Sequence, residues 1–352
     1  MKYKLVLENG KEFIGLNFGS QETKIGEIFF STSMVGYQDI LSDPSYFGKI
    51  ACMSYPLIGN YGLTDEDYDF KNIRVEGYVV KENNDLPSNF RATRTLSDAM
   101  EENKVVGISD VDTREIVKIL RDEGLMKAMI CPVSQPLKEC LKELKNYKEN
   151  ENPIKEVSCK KIWYSRTANP KYTVVVIDLG VKTSLIKKLN EYGLNVVVVP
   201  YDTSLDQIKK LKPNGIILSN GPANPNKYPE LVKLVKDLKG KYPLLGLGLG
   251  AQLIALYYGA EVTKMKHGHQ GANLPVRNEE TGKIDITSQN HFYQIIPNNI
   301  KDLSITHVNV IDGDVEGFID SKNKVIGVQY LIVETLNKDE NVINRFMNNM
   351  KR

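Results

Sequence analysis

At 352 residues the chain is too long for one ordinary core, which predicts two domains, each able to bury enough surface to fold. Charged residues make up 26% and nearly cancel at a formal net charge of +2, so no overall field favours nucleic acid or an anionic membrane as partner. The opening MKYKLVLENG has no signal-peptide run and no stretch of about 18 apolar residues follows, which argues against secretion and membrane spanning and predicts a cytoplasmic protein. Cys52, Cys131, Cys140 and Cys159 are widely spaced with no CxxC pair, so neither a disulfide framework nor a metal site is signalled.

In chain order, residues 1–150 read as a mixed α+β domain. Lys4 to Glu8 alternates weakly, and Asn9-Gly10 signals a hairpin before Glu12 to Gly15. Further β-prone segments run from Ile25 to Ser33, Lys49 to Tyr55 and Asn72 to Val80. Helices are expected at Leu96 to Glu102, at Asp112 to Glu123 after an aspartate cap, and at Leu137 to Tyr147 with a solvated lysine face. Residues 151–170, with little periodicity, read as a linker. From 171 to 352 the texture is α/β: apolar strands at Tyr172 to Leu179, Leu194 to Pro200 and Gly215 to Ser219 alternate with helices at Lys182 to Tyr192 and Leu205 to Leu211. That pattern predicts a doubly wound parallel sheet with its ligand site at the strands' carboxyl ends.

Two loops fall there: SNGPANP (Ser219 to Pro225) and the turn inside YPLLGLGLGAQLIALYYGA (Tyr242 to Ala260). The second reads as strand, sharp turn and buried helix, with glycine at 246, 248 and 250. Such a turn exposes its central residue beside helix N–H groups, where α/β enzymes hold a nucleophile or a phosphate. GLGLG matches only half of a dinucleotide fingerprint: the third glycine comes one residue early, and Glu261 is only a rough candidate for the ribose-binding acid.

Several loops taken together identify a family. MVGYQDILSDPSYFGKI (34–50), YPLIGNYG (55–62), SNFRAT (88–93) and DVDTREIVKILRDEG (110–124) occur in the first half. LSNGPANP (218–225), GLGLGAQLIA (246–255), KHGHQGANLPV (266–276) and ITSQNH (286–291) occur in the second. Almost end to end, the chain resembles the small subunit of glutamine-dependent carbamoyl-phosphate synthase, whose C-terminal half is a class I glutamine amidotransferase domain. The resemblance implies a large-subunit partner that makes carbamoyl phosphate for pyrimidine and arginine synthesis from bicarbonate, two ATP and ammonia. ATP and magnesium are then expected only on that partner, with no cofactor in this chain.

In that family the turn reads G-I-C-L-G-H-Q, and its cysteine attacks the glutamine amide with the help of a histidine and a glutamate from a late F-Q-Y-H-P-E motif. Carried onto this sequence, the nucleophile falls on Gly248, the base on Leu331 and the acid on Val333. All three triad positions are empty of reactive groups. Glu334 lies one residue late and on an extended segment would project to the opposite side. His267, His269 and His291 lie in family loops, but a base without a nucleophile hydrolyses nothing by this route. Losing the triad members together costs roughly six orders of magnitude in turnover, by analogy with a dissected serine protease. The expectation is a glutaminase-inactive chain kept for its shape.

By the same resemblance, glutamine contacts fall at Ser45, Gly221, Ala223, Leu249, Gln252, Asn290, Phe292 and Tyr293. Ala223 and Phe292 depart from glycines of the family and should crowd the pocket, which predicts weak or absent glutamine binding. The matching positions could equally persist as supporting structure. The expected function is a small subunit serving an ammonia-dependent large subunit. The alternatives are an active glutaminase using unrecognised residues, and a free-standing binding or scaffold protein.

Overall fold

The weak alternation at the N-terminus becomes a hairpin. Strands Lys2–Leu7 and Glu12–Gly19 pair antiparallel around Gly10, whose φ of +87° is the left-handed turn conformation that the Asn-Gly pair supplies. The computed structural model describes residues 1–70, 72–298, 300, 302–333 and 342–351. It divides into two compact units, Met1–Glu151 and Asn152–Arg352.

In the first unit the sheet closes on itself as a seven-stranded barrel. The order is Lys2–Leu7, Glu12–Gly19, Val106–Ser109, Gly77–Val79, Lys49–Met53, Lys24–Ser31 and Met126–Pro132, and the last strand pairs back on the first. Closure leaves no free edge in this sheet. Leu5, Leu7, Ile28, Ile50, Val79 and Ile108 meet Ile116, Ile119 and Leu120 of helix Thr113–Glu123 in one apolar core. Asp112 caps that helix by accepting the Glu115 N–H at 3.0 Å. Of the strand expected over 72–80 only Gly77–Val79 forms, because the amides before it are taken elsewhere: Arg74 N–H donates to Leu41 O and Glu76 N–H to Lys49 O. Helix Leu137–Asn146 buries Cys140 and Leu144 and leaves its lysines to solvent, as its pattern predicts.

The stretch expected to be a linker is folded. Pro153–Val157 is a short helix whose Ile154 and Val157 are fully buried, and Trp163–Ser165 is an edge strand paired antiparallel to Leu194–Pro200. Two buried side chains in a five-residue helix give too short a pattern for periodicity to reveal.

The second unit is built on a ten-stranded sheet. Five strands are parallel, in the order Leu194–Pro200, Tyr172–Asp178, Gly215–Leu218, Leu244–Leu247 and Val325–Val328. They are apolar on both faces because both are covered: Val175, Ile177, Ile216 and Leu244 point into one core, Val174, Val176, Ile217 and Leu245 into the other. Beyond Val325–Val328 the sheet turns antiparallel through Val315–Asp320, Ser304–Asn309, Glu261–Asn278 and Ile284–Ile296. Glu261 opens one of these antiparallel strands, so the βαβ unit that a dinucleotide fingerprint requires does not follow the glycine-rich turn. No helix among the described residues is long and apolar enough to cross a membrane.

Candidate functional site

The ends of the parallel strands gather four loops. Asp178 closes its strand and accepts N–H groups from Gly180 at 3.0 Å, Val181 at 2.8 Å and Cys159 at 2.8 Å. The Ser219 hydroxyl accepts the Leu179 N–H at 2.9 Å, tying the second loop to the first. Strand Leu244–Leu247 then breaks at Gly248 and helix Leu249–Tyr257 begins at the next residue. Segment 329–333 follows strand Val325–Val328 and forms the fourth wall.

Two of the glycines in the turn act for different reasons. Gly248 has φ +50° and ψ −112°, a conformation that side chains rarely adopt and that costs other residues about 1–3 kcal/mol. A Cβ there would stand 3.2 Å from Asn220 Cβ, tight but not impossible. Gly250 serves close approach instead, because a Cβ on it would lie 2.2 Å from the Leu218 carbonyl oxygen. The Gly248 N–H donates to Val328 O at 2.9 Å and the Gly250 N–H to Ser219 O at 3.1 Å, so the turn is held by the loops on both sides. This is the geometry of a nucleophile elbow, with no side-chain atom at its apex.

Gly248, Leu331 and Val333, the three positions aligned with the triad, line one cleft together with Lys182, Asn220 and Ile332. The cavity volume there is about 20 Å³. That holds a single water and is far below a pocket for an amino acid. Leu331 N–H donates to Ser288 O at 2.8 Å, fixing the segment that would present a base. Glu334 lies outside the described residues. The thiol of Cys159 is the cysteine in this unit, and burial first and Asp178 second push it up to about 12, which keeps it protonated near neutral pH.

Of the positions assigned to glutamine, seven lie in the second unit and Ser45 in the first. Ser45 sits buried in the short turn Pro44–Tyr46, its N–H donating to Asp43 Oδ1 at 2.8 Å. Gly221 lies against Leu179, where a Cβ would stand 2.1 Å from the carbonyl oxygen and 3.0 Å from Leu249 Cδ2. Ala223 and Leu249 are buried in the apolar core. Gln252 is 2% exposed, and its amide donates to Gln329 Oε1 at 2.9 Å and Tyr293 O at 3.2 Å, so its donors already have partners inside the protein. Asn290 stands opposite Gln270 on the neighbouring strand. Phe292 is buried, with its ring against Gly268.

One group of polar side chains was only partly legible. His269 and His291, from the two long antiparallel strands, converge on Glu316 of Val315–Asp320, which is fully buried. Burial alone would lower the pKa of His269, but hydrogen bonds and charge from Glu316 and Asp312 push it up to about 9. Burial likewise works against the charged form of Glu316, and the two imidazoles still hold its carboxyl below the usual range. The histidines are conspicuous in KHGHQG and SQNH; Glu316, 47 residues beyond His269, has no local signal.

Residues 175–330 match the family described as glutamine amidotransferase class-I, the class to which this fold and elbow belong. Residues 5–130 match the carbamoyl-phosphate synthase small chain, CPSase domain. The chain is 40% identical to a carbamoyl phosphate synthase pyrimidine-specific small chain of Halalkalibacterium halodurans, over 94% of this chain and 91% of that one. It is 40% identical to the protein of the same name in Bacillus subtilis, over 94% and 90%. A carbamoyl phosphate synthase small chain of Bacillus cereus is 42% identical over 94% and 90%. The chain belongs to the carbamoyl-phosphate synthase small-chain family.

Proposed function

We propose that this chain is the small subunit of a carbamoyl-phosphate synthase, that it does not hydrolyse glutamine, and that it supports a large subunit supplied with free ammonia. The observation that carries the reading is Gly248: the elbow keeps its unusual backbone conformation while the thiol is absent. Leu331 and Val333 extend it, since two aliphatic side chains line the cleft where a base and its orienting acid would be needed. Replacing a polar pair by apolar side chains avoids an uncompensated buried carboxylate, so the domain keeps its packing without the reaction. The internal partners of the Gln252 amide support weak or absent binding of glutamine.

Two of the relatives carry "pyrimidine-specific" in their names, which supports a place in pyrimidine synthesis. The small-chain family supports pairing with a large subunit, the component that would hold ATP and magnesium. The test is copurification of the two chains followed by carbamoyl phosphate synthesis with ammonium or glutamine as nitrogen donor. Activity with ammonium alone supports the reading; equal activity with glutamine removes it, and failure to find a large-subunit partner favours a free-standing binding protein.

A further inference from the structure

Three antiparallel strands, Glu261–Asn278, Ile284–Ile296 and Val315–Asp320, each bring one buried side chain to the same point: His269, His291 and Glu316. One ring nitrogen from each histidine and one carboxylate oxygen lie within 4.8 Å of one another. Glu316 Oε1 stands 3.2 Å from His269 Nδ1 and 3.3 Å from His291 Nε2. A tetrahedral ion holding nitrogen and oxygen at about 2.0–2.1 Å has ligand-to-ligand edges of roughly 3.3 Å, so these separations are those between corners of such a site.

The far side of each ring is also fixed. His269 Nε2 lies 2.6 Å from Asp312 Oδ2, and His291 Nδ1 lies 3.0 Å from the Tyr293 carbonyl oxygen. A carboxylate and a backbone carbonyl are the partners that metal-bound imidazoles use for the ring nitrogen facing away from the ion. An independent observation points the same way: Glu316 is fully buried, and its Oε2 has no hydrogen-bond partner among the described residues. A buried carboxylate oxygen without a donor is costly, and a shared cation removes the cost. Gln289, buried with its Nε2 on Thr287 Oγ1, has its Oε1 3.3 Å from His291 Nε2 and fixes that ring further.

We propose that His269, His291 and Glu316 bind a divalent cation of the zinc class. A nitrogen and oxygen donor set without thiolate suits zinc among the first-row ions. His269, His291 and Glu316 come from three different strands, so the ion acts as a structural clamp on the antiparallel half of the sheet. The elbow and its cleft take no part.

The experiment uses the full-length chain, stripped with a chelator, dialysed, and titrated with zinc alone against a chromophoric chelator. Cobalt(II) serves as the spectroscopic probe. The expected result is one equivalent of zinc per chain, a rise in unfolding temperature on adding it, and intense visible absorption from tetrahedral cobalt. Glu316→Gln and His291→Gln each weaken binding by about 100-fold or more, and Asp312→Asn by about 10–100-fold. If those variants fail to fold, the wild-type cobalt form decides, because its paramagnetically shifted proton signals identify two imidazole ligands. Absence of stoichiometric zinc and of any thermal shift in the wild type overturns the proposal, and so does unchanged affinity in both ligand variants; the cluster is then a proton-bridged ion network.

Discussion

Gly248 is the residue on which the functional reading turns, and its backbone makes a prediction that a plain surface glycine would not. At φ +50° and ψ −112°, with Asn220 Cβ 3.2 Å from the position of a new Cβ, Gly248→Cys should lower stability by about 1–3 kcal/mol, measured by urea denaturation. The same variant should show no glutaminase activity above background, because Leu331 and Val333 offer no base and no acid. Measurable turnover would mean that another residue had taken the base's place. His307 gives a second prediction. It is half-buried, with Thr306 Oγ1 2.9 Å from Nδ1 and Tyr330 Oη 3.4 Å from Nε2, and loss of solvent holds its pKa below the ordinary 6.5. A histidine kept neutral in the fold contributes stability above its unfolded pKa and loses it as pH falls through the lowered folded value. Urea midpoints of wild type should therefore fall more steeply below about pH 6.5 than those of His307→Gln.

At the scale of elements, the elbow depends on glycines with no conformational role as much as on Gly248. Gly250→Ala sets a Cβ 2.2 Å from the Leu218 carbonyl oxygen, a backbone atom that cannot swing away. It should cost about 3 kcal/mol or more, or prevent folding, as read by thermal unfolding. A mild loss would show that the helix can slide off the strand. Asp112→Ala removes the cap on Thr113–Glu123 and should cost about 1 kcal/mol in the same assay. Both elements were legible because their signals are local: a cap three residues before its partner amide, and glycines spaced two apart between an apolar strand and an apolar helix. The segment over 151–170 was misread because its buried pair, Ile154 and Val157, sits in one short turn among polar residues. The antiparallel half of the second sheet was not legible either. Its strands join through long-range register, such as Gln270 opposite Asn290, and carry family motifs in place of clean alternation.

At the scale of the whole molecule, the second unit keeps the architecture of a class I amidotransferase domain, with Gly248, Leu331 and Val333 lining its cleft. The family was readable from motif order, and Gly248, Leu331 and Val333, the positions that the resemblance assigned to the triad, line one cleft. The size of that cleft was not readable, since it depends on how 329–333 packs against the Asp178 and Ser219 loops. With the Gln252 amide donors already partnered inside the protein, calorimetry with glutamine, up to about millimolar concentration, should give no saturable heat. The most direct measurement is nitrogen transfer by the purified small chain together with its large subunit, with amide-labelled glutamine and unlabelled ammonium supplied in parallel reactions. The expected result is carbamoyl phosphate from ammonium and no label transferred from glutamine. Labelled carbamoyl phosphate formed from glutamine as fast as from ammonium would contradict it.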